Sequence, residues 1–384
     1  MLGSVTDRDP HETDDGALAQ LLRVLDRLPF VSGLRRDIRT LRDVVYRRRP
    51  PRLMALGTLG SGRSRIANAL LGSEVFGDGD GAEPYRWIGV HTDGAQLQWL
   101  EVPMPLDDAG LGRAESALSE AQPDCILLVC APADVEDGMR DRLNQVPRLL
   151  RSIVRDGDAP LPLFAVLSQA DRMPPAGTSA APYPEPQRTA IDLARQRLDG
   201  ALRASGLDVA RTLAVACPAS PSPTFGLEDL SREVFAALPE PALLEAARAL
   251  PLAPGARRQV ANRVVHACST LALTVGLAPV PLSDALIIVP LQVLMVSAVA
   301  HVSGRPWDRK AAFEWMASVG VVGGAGMGLR WTAQQLAKLI PGAGTLVSAG
   351  VAGAGTATLG QSAIAYFLRN TEPRQIAETA GAND

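Results

Sequence analysis

The stretch GTLGSGRS, from Gly57 to Ser64, carries the most specific chemistry in the chain. Its spacing, G-x-x-x-x-G, a basic residue and then serine, is that of a phosphate-binding loop. Such a loop works because a tight glycine turn aims several backbone N–H groups at one anion, while the following helix adds the positive end of its dipole. Gly57, Gly60 and Gly62 supply the backbone freedom for the turn. Ser61, Gly62, Arg63 and Ser64 offer the N–H groups, and the Ser64 hydroxyl is the one that would ligate Mg²⁺. The basic residue is usually lysine, a compact point charge that reaches the β- and γ-phosphates. Arg63 keeps the charge on a bulkier, planar group that is harder to enclose. The chain has only two lysines, Lys310 and Lys338, and neither lies near the loop in sequence.

For this loop to work it must sit between a strand and a helix, and the flanking residues supply both. RLMALG (52–57) reads as a strand and RSRIANALLG (63–72) as the helix after it. Three nearly continuous apolar runs follow: DCILLVCAP (124–132), LPLFAVLSQ (161–169) and RTLAVACP (211–218). Such runs suit strands covered on both faces, as in a parallel sheet. AQLQWLEVP (95–103) alternates in part and suits a more exposed strand. Helical patterns at about 135–154, 187–204 and 226–238 separate the strands, and this alternation argues a doubly wound α/β domain. Residues 171–186 form a proline-rich loop within it.

With the elements in place, GTLGSGRSRIANALLG resembles the first motif of Era-like, translation-factor-class GTPases, whose helix typically reads K-S-x-L-x-N-A-L-L-G. The resemblance covers about residues 50–240 and implies GTP or GDP as ligand, with Mg²⁺. In the family a D-x-x-G motif ends the third strand. Here LQWLEVPMPLDD stands there, so Glu101 replaces the aspartate, Met104 replaces the glycine, and Pro105 follows. Glu101 and Ser64 are the expected metal ligands, although the extra methylene of Glu101 displaces its carboxylate by more than about 1 Å. The base-recognition motif [NT]-K-x-D corresponds to Ser168, Gln169, Ala170 and Asp171. The resemblance implies that Asp171 pairs with the guanine N1 and N2 donors, and that Gln169 lays a shorter stem over the base than lysine would. Ala216 and Cys217 in VACPAS (215–220) take the place of the last base-contacting loop. Thr92 is the nearest candidate for a switch threonine, although a turn is the expected place for it, and GDGDG (77–81) is read as the first switch. Arg63, Glu101 and Met104 together imply weak or absent hydrolysis, and no replacement catalytic residue stands out.

Beyond about residue 260 the composition changes. Residues 264–283, 285–304, 315–329 and 339–368 carry no formally charged side chain when His266 and His301 are neutral. A helix crossing a bilayer needs roughly 20 apolar residues, but prolines shorten or kink the first two segments and glycine and alanine weaken the last. Arginines before the first segment and basic residues after the second suit a hairpin with both ends in the cytoplasm. Trp307, Trp315 and Trp331 fall near segment ends, where either an interfacial belt or ordinary core packing accounts for them. GLAPVPLSDALIIVPLQVLMV (276–296) and IPGAGTLVSAGVAGAG (340–355) resemble a helical domain of unknown function that follows Era-like GTPase domains in bacterial membrane-associated proteins. That resemblance implies association with the cytoplasmic face of the plasma (inner) membrane, the alternative being the cytoplasm.

The expected organisation is an acidic disordered tail (1–16), an N-terminal helical arm (17–50), the GTPase-like domain (51–240), a linker with a short helix (241–259), a hydrophobic all-α domain (260–369) and a polar tail (370–384). Residues 35–52 hold eight arginines and two aspartates; they are read as a solvated helix face or as a patch for anionic lipid heads. The four cysteines, Cys125, Cys130, Cys217 and Cys268, form no C-x-x-C pair and are read as small buried residues of a reducing compartment. The acidic start lacks an apolar run, so no secretory signal is expected. The net charge of −3 points to no partner, and no nucleic acid is predicted. The leading reading is a GTPase-like nucleotide-binding switch or scaffold at the membrane. A slow, partner-activated GTPase and a nucleotide-free structural protein stay open as alternatives, with a protein partner or self-association compatible with each.

Overall fold

The computed structural model describes residues 35–77, 83–92, 95–136, 139–143, 145–153, 161–174, 181–218, 223–253, 255–277, 287–308, 312, 315–316 and 344–368. The expected tails at 1–16 and 370–384, the start of the helical arm, most of GDGDG, and Trp331 lie outside these residues. The chain divides into two units, Arg49–Ala256 and a second unit of Met1–Arg48 with Arg257–Asp384.

The Arg49–Ala256 unit is built on one six-stranded sheet in the order β2-β3-β1-β4-β5-β6. The strands are β1 (Arg52–Thr58), β2 (Trp87–Thr92), β3 (Ala95–Met104), β4 (Cys125–Cys130), β5 (Leu163–Leu167) and β6 (Arg211–Ala214). Only β2 runs antiparallel, paired with β3; every other neighbour is parallel. The apolar runs earn this arrangement: every residue of β4 and of β5 is buried, as a parallel sheet covered on both faces requires. Strand β1 lies between β3 and β4, so the connections leave it toward opposite edges. The crevice beyond the carboxyl ends of strands at such a switch point is where doubly wound sheets bind ligands.

The helices of this unit are α2 (Arg63–Leu71), α3 (Asp108–Glu120), the short α4 (Pro132–Glu136), α5 (Met139–Arg142) and α6 (Val146–Arg151), then α7 (Glu185–Ala204), α8 (Leu227–Ala237) and α9 (Glu240–Ala249). Helix α7 shows how sequence sets the covering layer. Its buried residues Gln187, Ile191, Ala194, Leu198 and Leu202 recur every three or four positions, which puts them on one face. The short helix expected in the linker segment is α9, whose Ala242 to Ala249 are all buried and which packs on β3. One sequence expectation is corrected here. Strand β3 is not exposed: Leu97, Trp99, Leu100, Val102 and Met104 are buried, with α9 packed on the strand and Leu100, Val102 and Met104 in the core shared with Leu111, Ala114 and Leu118 of α3.

Two members of the arginine run, Arg49 and Arg52, resolve differently from either sequence reading, while Arg36, Arg39 and Arg47 stay exposed. Arg49 forms a two-pronged ion pair with Asp124, at 2.7 and 2.6 Å. The Arg52 backbone N–H donates to the same carboxylate at 2.9 Å, and its guanidinium donates to Gln98 at 2.8 Å. Those two arginines are bound to the base of the sheet, neither solvated on a helix face nor turned toward lipid.

The second unit begins with α1 (Arg35–Leu41), continued by a π-helical turn over Arg42–Tyr46. Ile38, Leu41, Val44 and Val45 are buried, as the helical spacing of their types predicts. Its longer helices are α10 (Ala256–Leu277), α11 (Val289–Val302) and α12 (Gly344–Leu368). Helix α12 approaches its neighbours closely through missing side chains. A Cβ on Gly360 would stand 2.5 Å from Val265 Cγ1 and 3.0 Å from Met295 Sδ. Gln292 donates across to Thr356 at 3.0 Å, which satisfies a hydroxyl that is completely buried. Among the described residues no helix is long and apolar enough to cross a membrane.

Candidate functional site

The turn between β1 and α2 is set by two left-handed glycines. Gly60 has φ +79° and Gly62, which caps α2, has φ +92°; side chains rarely adopt this region. The Ser61 N–H donates to Thr58 O at 3.2 Å and the Ile66 N–H donates to Gly62 O at 2.9 Å, so the turn runs directly into the helix. Gly57 ends the buried part of β1, where a Cβ would meet Val129 O at 2.5 Å and Ser61 Oγ at 2.6 Å. The Ser61 hydroxyl is buried without a hydrogen-bond partner among the described residues.

Arg63 does not stand in the mouth of the turn. It is 8% exposed, with Nη1 donating to Gly57 O at 2.7 Å and Nε 3.5 Å from Glu101 Oε2. Burial lowers the pKa of the guanidinium and the Glu101 carboxylate opposes the shift. The other Glu101 oxygen, Oε1, accepts from the Ser64 hydroxyl at 2.9 Å and from the Trp99 indole at 3.2 Å. The parallel pairing of β1 with β3, in which Ala55 faces Glu101, brings that carboxylate to the loop. The two residues expected to hold Mg²⁺ are thus together, but they are bonded to each other, and Glu101 is only 3% exposed. Mg²⁺ demands near-octahedral oxygen coordination and usually keeps several waters. A carboxylate enclosed by an indole, a hydroxyl and a guanidinium does not fit that demand as arranged.

The base-motif residues close the other side. Ser168, just past β5, is buried and its hydroxyl donates to Ser61 O at 2.6 Å. Gln169 takes the left-handed conformation, φ +54°, and its side-chain amide donates to Gly60 O at 2.8 Å while its carbonyl accepts from Arg172 at 3.1 Å. Its amide is therefore committed to the glycine turn. Asp171 lies in a 3₁₀ turn over Ala170–Arg172. Gln187, fully buried, holds that turn by donating to the carbonyls of Ala170 and Asp171, each at 3.3 Å. The Asp171 carboxylate itself accepts no hydrogen bond among the described residues.

Gly60, Gly62, Ser168, Gln169, Asp171 and Cys217 all line one cavity of about 220 Å³, with Arg65 and Arg172 also on its wall. Cys217 is half-buried, unlike the other three cysteines, and corrects the expectation that all four are core residues. Its thiol is pushed up to about 12 by burial and then by Asp171, so it stays protonated. A larger groove of about 770 Å³ at the opposite end of β5, lined by residues such as Leu150, Phe164 and Leu207, contains none of the predicted site residues. Thr92 ends β2 in register with Ala95, so it lies in a strand.

One polar group beside the loop escaped sequence reasoning. Thr58 Oγ1 donates to Asp134 at 2.8 Å, and Asp134 also accepts from the Ala131 N–H at 2.9 Å and from Arg142 at 2.8 Å. The signal was present as an acidic residue just beyond a fully buried strand, in CAPADV.

Comparison with known proteins adds the following. Residues 242–380 match the family described as Domain of unknown function (DUF697). No curated protein shows significant similarity to the chain. Among solved structures, the chain is similar to a GTP-binding protein from the archaeon Sulfolobus solfataricus in complex with GDP, at 12% identity and TM-score 0.29, covering 53% of this chain and 61% of that one. The chain therefore spans less than two thirds of that protein. It is also similar to Toc33 from Arabidopsis thaliana in complex with Mg²⁺ and GMPPNP, at 14% identity and TM-score 0.36, covering 62% and 97%. A third is an Era variant from Aquifex aeolicus bound to GDP and aluminium fluoride, at 15% identity and TM-score 0.33, covering 58% and 66%. By its strand order and glycine turn, the Arg49–Ala256 unit is a doubly wound α/β fold with a turn of the phosphate-binding-loop kind between β1 and α2, and residues 242–380 match the DUF697 model.

Proposed function

We propose that the Arg49–Ala256 unit binds a guanine nucleotide and hydrolyses it weakly or not at all, and that the chain serves as a switch or scaffold at a membrane surface. One observation carries the nucleotide reading: a cavity that joins the glycine turn to Asp171, with Arg63 folded out of it. Its volume is below the roughly 300–1,000 Å³ of drug-sized pockets, which suits a base and sugar, with the phosphates on the open turn. The Asp171 carboxylate is an acceptor for paired N–H donors, a pattern guanine offers and adenine does not. The weak-hydrolysis reading is supported by the residues past Glu101. Met104 is buried at the end of β3, and Pro105 has no N–H to offer a phosphate.

The membrane reading is supported by an aromatic and basic cluster in the second unit. Tyr366, 57% exposed, meets Phe367 edge-on at 4.9 Å. The Arg305 guanidinium lies 4.8 Å from the centre of the Phe367 ring, and Arg48 lies 4.3 Å from that of Trp307. Arginine and amphipathic aromatics suit a bilayer headgroup layer. Docking on the surface, rather than spanning, is the mode these elements support.

The nucleotide reading is tested by titrating the full chain with fluorescent GDP and ATP analogues. Saturable binding of the guanine analogue with a preference over the adenine one is expected; no binding at high micromolar ligand would remove the switch. Flotation with vesicles of anionic and of neutral phospholipid tests the second part, with recovery expected on the anionic vesicles.

A further inference from the structure

We infer that the nucleotide site works without a divalent cation, because Arg63 and Glu101 have replaced the metal with an internal ion pair. This inference rests on the nucleotide reading above and concerns how the same site balances charge. Every polar atom of the expected metal set already has a partner within the fold. Glu101 Oε2 faces Arg63 Nε at 3.5 Å, while Oε1 accepts from Ser64 and Trp99. Arg63 is anchored a second time on Gly57 O at 2.7 Å.

A divalent ion seated on Glu101 Oε1 would have to displace the Ser64 or Trp99 donor, and one seated on Oε2 would face the buried Arg63 guanidinium. Its waters would need room around a carboxylate that is 3% exposed. Arginine is the residue type suited to this role, since its planar fork holds the Gly57 carbonyl while its Nε faces the carboxylate. A compact lysine ammonium offers no such fork. The negative charge of a bound nucleotide is then met by main-chain N–H groups of the turn, by the amino end of α2, and by Arg172 at the cavity wall.

The test is the dissociation constant of N-methylanthraniloyl-GDP for the full chain, measured in excess Mg²⁺ and again in EDTA. Values within about twofold of one another are expected. Binding that tightens tenfold or more with Mg²⁺ overturns the inference while leaving the nucleotide reading intact. Absence of binding in both conditions overturns the nucleotide reading and this inference with it. The double variant Arg63→Lys, Glu101→Asp supplies the second arm. It is expected to gain a Mg²⁺ dependence that the natural pair lacks, and no change in the Mg²⁺ ratio on this exchange, in a variant that binds the probe, would count against the pair as its cause.

Discussion

The two sides of the glycine turn, the buried cluster around Glu101 and the cavity that holds Asp171, differ in how far their polar groups are satisfied. At the phosphate end, Arg63, Glu101, Ser64 and Trp99 bond one another and leave little for a metal. At the base end, the Asp171 carboxylate accepts nothing from the described residues and faces open space. Paired buried groups resist change, because breaking one partner exposes the cost of burying the other. An unpaired carboxylate at a cavity wall gains by recruiting a donor from outside. On the nucleotide reading proposed above, the contrast would separate specificity for the ligand from chemistry upon it: one side keeps Asp171 open while the other is closed by its own side chains.

The sharpest way to break this comparison is at the closed end. Glu101→Ala strands a buried guanidinium, and removal of one partner of such a pair costs about 3–5 kcal/mol. A large fall in the urea midpoint at unchanged slope is expected; near-wild-type stability would show the pair to be dispensable. Next in size, Asp171→Ala should weaken guanine-nucleotide binding by about 2–3 kcal/mol, or about 30- to 150-fold, while leaving the unfolding midpoint nearly unchanged. If stability fell instead of affinity, the carboxylate would be structural and the two ends alike. Ser168→Ala removes the hydroxyl between the base loop and Ser61 O, a loss of about 1 kcal/mol that calorimetric melting should register as a few degrees. The smallest effect belongs to Gln169→Ala, about 0.5–1 kcal/mol in nucleotide affinity, detectable by competition titration against unlabelled GDP.

Much of this contrast was legible in the sequence, but unevenly. The strands were readable because parallel strands buried on both faces are written as unbroken apolar runs, as in CILLVC and LFAVL. The glycine turn was readable because its positive φ angles demand glycine. What stayed hidden depended on partners far along the chain. Strand β3 alternates in part, and α9, which comes much later, packs on it. Arg49 looks like one of a crowd of surface charges until Asp124, 75 residues on, comes to meet it. The same holds for Arg63, whose type predicts a cation at the loop but not that it turns inward onto Gly57 O and Glu101. Nothing local marks Gln187 as the support of the Asp171 turn, since its target is a pair of backbone carbonyls.

The bond from the Gln169 side chain to Gly60 O has a kinetic consequence. A non-glycine residue held at positive φ is tolerated only where its surroundings insist on it, and here the insistence comes from the opposite wall of the cleft. The two rims are stapled before any guest arrives. Entropy that a loose rim would surrender on closing has already been lost during folding. If a nucleotide is the ligand, as proposed above, it meets rims already bridged by this hydrogen bond, and its capture asks for correspondingly less rearrangement of the loops.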